Sequence, residues 1–251
     1  MRDEFADANF RVVCYLRRQD ELLESEYNQH VKQGGVKDHR QFMSIMMPRL
    51  DYSRYLQVLQ TAFGVRNIIV RVYEKAQLEG DLYDDFFRCL GLKVRSDYTR
   101  PGRPVNPSLS AAGLALMRLL NQQITDELLL KQLRRCVLQH YSSEPFKHEG
   151  TILSTRERHS LVERFAPSNA EIARQYMGRR DGTLFSDEIA DIEAPAGPKE
   201  VCEPVVGLLE KHLSRRPYDT GARDALCLIR SAQPNHAFSH APLLLDVDDS
   251  P

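Results

Sequence analysis

The amino-acid sequence predicts an α/β fold, in which a parallel sheet is flanked by helices and followed by a mainly helical C-terminal half. Residues 10–16 and 68–73 are apolar and rich in β-branched side chains, which is typical of strands covered on both faces. Amphipathic segments separate them in the order strand, helix, helix, strand, helix. Such an order needs crossover connections, and these make consecutive strands parallel.

Three helices are predicted in this first part of the chain. One runs from about Asp20 to Gly34, the next begins after an Asp51 cap and ends at Gly64, and the last covers residues 81–90. Apolar side chains recur at helical spacing in the second and third, so we expect them to face the core: Tyr52, Tyr55, Leu56, Leu59 and Phe63, then Leu82, Phe86, Phe87 and Leu90.

From about residue 110 the pattern indicates only helices. Residues 114–123 and 125–141 are amphipathic, and the capping-box patterns at Ser154 and Ser168 predict two shorter helices. A domain of residues 1–193 is therefore expected. Residues 194–251 would form a linker, a small helical pair at 199–213 and 220–231, and a frayed acidic tail.

Composition excludes several classes of partner and site. A formal net charge of -1 gives no general attraction to nucleic acid or to an anionic membrane. No apolar run approaches the roughly 18 residues of a membrane span, and the charged start lacks a signal-peptide core. The five cysteines are scattered, so neither a disulfide framework nor a metal site is predicted. These features favour a cytoplasmic location.

The predicted sheet has only two strands, which is marginal for a sheet that stands alone. An apolar strand at residues 12–16 needs a neighbour on each edge. The neighbour could be an upstream segment, a partner chain or a strand that the pattern does not reveal. If the edge is open, we expect a homodimer or aggregation through it.

A strand end, an arginine and a helix start together suggest a phosphate site. Arg17 follows the first strand directly, and Ser25 lies eight residues later on the helix. Ligands collect at the carboxyl ends of parallel strands, where a helix N-terminus attracts anions. Arginine and serine add hydrogen bonds to phosphate oxygens. Alternatively, Arg17 pairs with Asp20 or Glu21, and Ser25 is an ordinary helical residue.

Residues 15–27, from Tyr15-Leu-Arg-Arg to Ser-Glu-Tyr27, resemble the 3′-phosphate-binding segment of sulfotransferases that use 3′-phosphoadenosine 5′-phosphosulfate (PAPS). Residues 67–74, ending Tyr-Glu, and the Phe-x-x-Leu-Gly-Leu pattern within 86–92 are similar to the blocks that follow in that family. Residues 52–56 resemble the start of the block that ends at Glu74, and the segments at 106–110 and 165–170 resemble a bacterial sulfotransferase-like branch. The likeness covers about residues 10–180.

The resemblance implies an incomplete P-loop-type sheet and a site for PAPS or adenosine 3′,5′-bisphosphate. Arg17 and Ser25 would hold the 3′-phosphate, with Arg18 and Tyr27 as weaker candidates. The family's first strand and its Lys-x-Gly-Thr phosphosulfate loop have no counterpart here, because the chain begins about nine residues before the matching segment. We therefore expect a truncated gene or a start assigned too late, and a chain that is incomplete or inactive.

Sulfuryl transfer to a hydroxyl or amine acceptor also needs a base, for which Glu24 and His30 are weak candidates. A solvated or capping role is the alternative for both. Glu74, at the end of the second strand, is expected to bind a neighbouring loop. A function of another class stays open: a non-enzymatic helical interaction protein that retains a degenerate nucleotide-binding fold, with its working surface on the helices after residue 110.

Overall fold

The computed structural model describes residues 10–93, 107–142, 152–189 and 202–231. The polar, Pro- and Gly-containing sequence from Lys93 to Pro107 predicts a loop, nearly all of which lies outside the described residues. The predicted linker at 194–198 and tail at 246–251 also lie outside them. Within the described ranges the elements are β1 (Val12–Leu16), α1 (Gln19–Lys32), α2 (His39–Leu50), α3 (Tyr52–Phe63), β2 (Ile68–Val72), α4 (Leu82–Cys89), α5 (Ala111–Gln123), α6 (Glu127–Tyr141), α7 (Thr155–Met177), α8 (Glu203–Arg215) and α9 (Thr220–Ser231).

The chain divides into two compact units. The first contains β1, β2, α1 to α4 and α7, and the second contains α5, α6, α8, α9 and the short segment Gly34–Val36. This division differs from the predicted boundary at residue 193, which placed α5 and α6 with the sheet. Their helical pattern did not indicate which neighbours they pack against.

The two strands form a parallel pair in the first unit. Val12 is aligned with Ile68, and the register continues to Leu16 and Val72. The α/β prediction is thus confirmed, since the described residues form a small two-stranded parallel sheet and are otherwise mainly helical. Buried side chains of β1 and β2 pack against α3 and α7, where Leu56 and Ile172 lie in the same apolar core.

Capping residues and apolar spacing in the sequence correctly predicted most of the helices. Asp51 caps α3 as predicted, since its carboxylate accepts a hydrogen bond from the Ser53 N–H at 3.2 Å. The pattern missed α2, which has an Asp38 capping box but begins with polar residues and contains Pro48. None of the helices in the described ranges is long and apolar enough to cross a membrane.

The two shorter helices predicted from the capping boxes at Ser154 and Ser168 are in fact one helix. Only Ser154 acts as a cap, and α7 continues for 23 residues through Pro167. The Ser168 hydroxyl instead donates to the Phe165 carbonyl at 3.2 Å, one turn back in the same helix. A hydroxyl that bonds within its own helix leaves no signal in the sequence that separates it from a cap.

The apolar stripes on α3 and α4 are less buried than predicted. In α3 only Tyr52 and Leu56 are buried, whereas Tyr55 and Phe63 are exposed. Leu82, Phe86 and Leu90 are also exposed, so the prediction that these side chains face the core is wrong. The reason is that one narrow face of each helix contacts the unit: Asp85 is the one fully buried residue of α4.

An edge of β1 has no partner strand within the described ranges, because β1 pairs with β2 alone. We expect the purified protein to associate through this edge. Val13→Lys should lower the associated fraction in light scattering, because a lysine on an edge strand opposes strand pairing.

The matched control is Val58→Lys, at a position on α3 where the side chain is 68% exposed. It should leave association unchanged. A monomeric wild type that Val13→Lys unfolds would instead show that a further strand covers this edge.

Candidate functional site

The candidate site lies where both strands end. Arg17 and Arg18 follow β1, and Tyr73 and Glu74 follow β2. Because β1 and β2 are parallel and in register, these four residues share one edge of the sheet, here called the carboxyl edge. Helix α1 begins there, at Gln19. The structure therefore places Arg17 at a strand end beside a helix start, as predicted.

A buried charge network fixes the first turns of α1. The Asp20 carboxylate is fully buried and accepts hydrogen bonds from Arg18 Nε at 2.7 Å and from Arg158 Nη1 at 2.8 Å. Arg158, on α7, also forms an ion pair with Glu24 at 2.6 Å. One guanidinium thus holds two successive turns of α1 against α7.

The two carboxyl groups of this network have pKa shifts in opposite directions. Burial by itself would raise the pKa of Asp20, but hydrogen bonds from Arg18 and Arg158 outweigh it and hold the pKa below its ordinary value. Burial raises the pKa of Glu24, and the attraction of Arg158 offsets that effect only in part. The two guanidinium groups therefore favour the charged form of Asp20.

A second group of hydrogen bonds joins the carboxyl edge to the loop that follows α7. Glu74 is buried and accepts from the backbone N–H of Ser186 at 2.9 Å and from its hydroxyl at 3.0 Å. Arg18 Nη1 donates to the Asp187 carbonyl at 2.7 Å. The expectation that Glu74 binds a neighbouring loop is confirmed. The loop after α7 is thereby held beside the start of α1.

Arg17 is the half-buried cation of the carboxyl edge. Its Nε donates to Glu21 at 2.9 Å, which is the pairing that the alternative interpretation predicted. The guanidinium also lies over the Tyr73 ring, 5.6 Å from the centroid. The Arg17 carbonyl accepts from the Tyr52 hydroxyl at 2.5 Å, so its backbone is fixed by α3.

Ser25 lies on the same row of α1 as Glu21, the ion-pair partner of Arg17. Glu21 and Ser25 are four residues apart, so they are neighbours on the helix surface. The Ser25 hydroxyl is half-buried, and it makes no hydrogen bond within the described residues. The N-terminus of α1 also lacks a side-chain cap there. A row of Arg17, Glu21 and Ser25 therefore runs from the strand end along α1.

The remaining candidates are engaged elsewhere. The Tyr27 hydroxyl donates to the Lys37 carbonyl at 3.2 Å, and its ring packs edge-on against Phe42. His30 stacks on Phe42 with 4.8 Å between ring centroids, and burial lowers its pKa. Glu24 accepts from the Ile152 N–H at 3.1 Å besides pairing with Arg158.

An open cavity of about 670 Å³ lies along β1 in the same unit. Strand residues 13–16 form one wall, and the junction of α2 with α3 forms the other. Arg49, Arg54 and Tyr55 line it and are exposed. The cavity is thus bordered by two arginines and by Asp51, next to the strand that leads into Arg17.

Sequence reasoning missed Arg158 entirely. It also missed Asn169, whose amide exchanges two hydrogen bonds with the buried Gln19 amide, at 2.7 and 3.1 Å. Arg158 and Asn169 both lie on α7, more than 130 residues along the chain from their partners on α1. No local pattern marks such pairs. No group of His, Cys, Asp and Glu suited to a metal ion occurs in the part of the chain that the structure describes.

Comparison with known proteins finds an archaeal relative. No family model and no solved structure matches this chain. A protein of Archaeoglobus fulgidus, described as uncharacterized, is 32% identical over 203 residues, which are 78% of this chain and 54% of the relative. The chain thus spans about half the length of that relative.

Replacing Arg158 tests the buried network. Arg158→Met keeps most of the side-chain volume but leaves Asp20 and Glu24 without their shared cation. Breaking a buried ion pair in this way costs about 3–5 kcal/mol. We expect a loss of that order in the free energy of unfolding, measured by urea titration with circular dichroism.

Arg156→Met is the matched control, because Arg156 lies on the same helix and is exposed. Its effect should stay within about 0.5 kcal/mol. If the two variants are equally stable, the network does not hold α1.

Proposed function

We propose that the first unit binds adenosine 3′,5′-bisphosphate or PAPS, with the 3′-phosphate at the start of α1. The observation that carries this proposal is the arrangement of Arg17 beside a helix N-terminus that no described side chain caps. The helices α2 to α7 all have such caps, provided by Asp38, Asp51, Asp81, Ser110, Asp126 and Ser154. The first N–H groups of α1 thus lack a capping oxygen, which is the kind of partner that an anion supplies.

The charges near α1 set a condition on phosphate binding. Asp20 would repel a phosphate, but Arg18 binds it and Arg158 is shared between it and Glu24, so the two arginines balance these two carboxylates. Glu21 is different, because it occupies the Arg17 guanidinium that the phosphate would use. Binding must displace Glu21 from Arg17.

Magnitudes make that displacement favourable. A partly exposed ion pair between residues four apart contributes about 0.3–0.5 kcal/mol. Hydrogen bonds to charged groups contribute about 1.5–3 kcal/mol each. A phosphate that takes Arg17 from Glu21 therefore gains more than is lost, and the Ser25 hydroxyl on the same row supplies a further donor.

The reaction class that accompanies this site is sulfuryl transfer from PAPS to a hydroxyl or amine acceptor, on a P-loop-type sheet. PAPS would supply the sulfuryl group. The contacts of this chain favour neither candidate base, since Glu24 is held by Arg158 and two backbone N–H groups. His30 is stacked on Phe42, with Nε2 buried. We accordingly assign nucleotide binding, and no catalytic residue, to the described residues.

A second candidate function is that of an interaction protein. It is favoured by α4, where Leu82, Phe86 and Leu90 lie four residues apart on one face and are all exposed. An exposed apolar face of this kind is typical of a surface that binds another protein. This face lies in the first unit, whereas the sequence placed the working surface on the later helices.

Competition binding tests the nucleotide site. We expect adenosine 3′,5′-bisphosphate to bind more tightly than adenosine 5′-monophosphate, because the second ligand lacks the 3′-phosphate. Arg17→Ala should lower the ratio of the two affinities at least about tenfold, since one charge-assisted hydrogen bond contributes more than 1.4 kcal/mol. Glu21→Gln should strengthen binding about twofold, because the competing carboxylate is gone.

Arg11→Ala is the control, because Arg11 is exposed and precedes the other end of β1. It should leave the preference intact. Equal affinity of the wild type for both nucleotides would refute the proposal and favour the interaction protein.

A further inference from the structure

The second unit contains an open cavity of about 850 Å³, broadly accessible to solvent, that the nucleotide site does not use. It lies between the end of α5 and the turn that joins α8 to α9. Its volume is in the range of small-molecule sites, about 300–1,000 Å³. We call it the α8–α9 cavity; the lining residues that matter below are Gln123, Arg215, Arg216, Tyr218, Asp219 and Asp224.

Tyr218 is presented to solvent by an ordered turn. Its side chain is 90% exposed, the highest value among the large apolar side chains of the described residues. The turn itself is fixed: the Asp219 carboxylate accepts from the Ala222 N–H at 2.9 Å and contacts His212 Nε2 at 2.7 Å. The Asp219 N–H donates to the Arg216 carbonyl at 3.2 Å. These bonds fix the backbone beside Tyr218, so the ring is held at a defined place on the surface.

A close backbone approach shapes the floor of the cavity. A Cβ atom on Gly221 would lie 2.1 Å from the Gln123 carbonyl oxygen, so only glycine lets α9 begin this close to the end of α5. Any larger residue would separate the two walls.

The lining of the cavity is polar but has no net charge. Arg215 and Arg216 are balanced by Asp219 and Asp224. Arg216 is also paired with Asp126 at 2.9 Å. An anionic ligand therefore gains no general attraction here. The available groups are guanidinium, carboxylate and amide, which offer both hydrogen-bond donors and acceptors.

We propose that the α8–α9 cavity binds a neutral carbohydrate. A sugar ring combines an apolar C–H face with hydroxyl groups that both donate and accept hydrogen bonds. The Tyr218 ring matches the face, because it is apolar and accessible. Gln123, Arg215 and Asp224 match the hydroxyl groups. The inference does not depend on the nucleotide site.

A glycan array carrying neutral, sulfated and sialylated glycans tests this proposal with the full chain. We expect binding to neutral glycans, followed by titration calorimetry on the strongest of them. Tyr218→Ala should lower that affinity about threefold to tenfold, because a stacked ring is lost. Tyr218→Phe should retain it, and Asp224→Asn should weaken it.

Tyr83→Ala is the matched control, because Tyr83 is an exposed tyrosine of the first unit. It should bind as the wild type does. Thermal melts of all variants should coincide, since Tyr218 and Asp224 are exposed. Binding to no neutral glycan, binding to charged glycans alone, or binding that survives Tyr218→Ala would each overturn the proposal.

Discussion

The buried contact between Asp20 and Arg158 is the interaction on which the arrangement of the carboxyl edge depends. A charged carboxylate with no solvent exposure is tolerated only because two guanidinium groups bind it. Since one guanidinium follows β1 and the other belongs to α7, satisfying Asp20 fixes where α1 begins relative to both. Arg18 then extends the constraint to the loop after α7 through the Asp187 carbonyl. The proposed phosphate site therefore has a start of α1 that is already ordered.

Two rows of residues on α1 make contacts of different strength. Asp20 and Glu24 form one row, and both carboxylates bind Arg158. The neighbouring row of Glu21 and Ser25 begins at Arg17 and carries weaker contacts. Strong contacts hold the helix, and weak contacts can be exchanged for a ligand at small cost. This separation is the reason for placing nucleotide binding on Arg17 and Ser25 rather than on the buried network.

The sequence predicted what depends on local pattern. β1, β2, α1 and α3 follow from apolar runs, spacing and caps, and the position of Arg17 at a strand end follows from them. The partners of those residues could not be predicted, because Arg158 and Asn169 lie on a helix distant in the chain. Burial on α3 and α4 was overestimated, since periodicity shows which residues share a face but not how much of that face is covered. The position of Tyr218 likewise depends on a turn that the pattern left undefined.

Site-resolved hydrogen exchange with and without adenosine 3′,5′-bisphosphate tests the central claim most directly. If the phosphate binds at the start of α1, the backbone amides at residues 19–21 should exchange more slowly when the nucleotide is present, because they become hydrogen-bond donors to it. Amides of α9 in the second unit should not change. Unaltered exchange at residues 19–21 under saturating nucleotide, or slowing confined to other helices, would contradict the account.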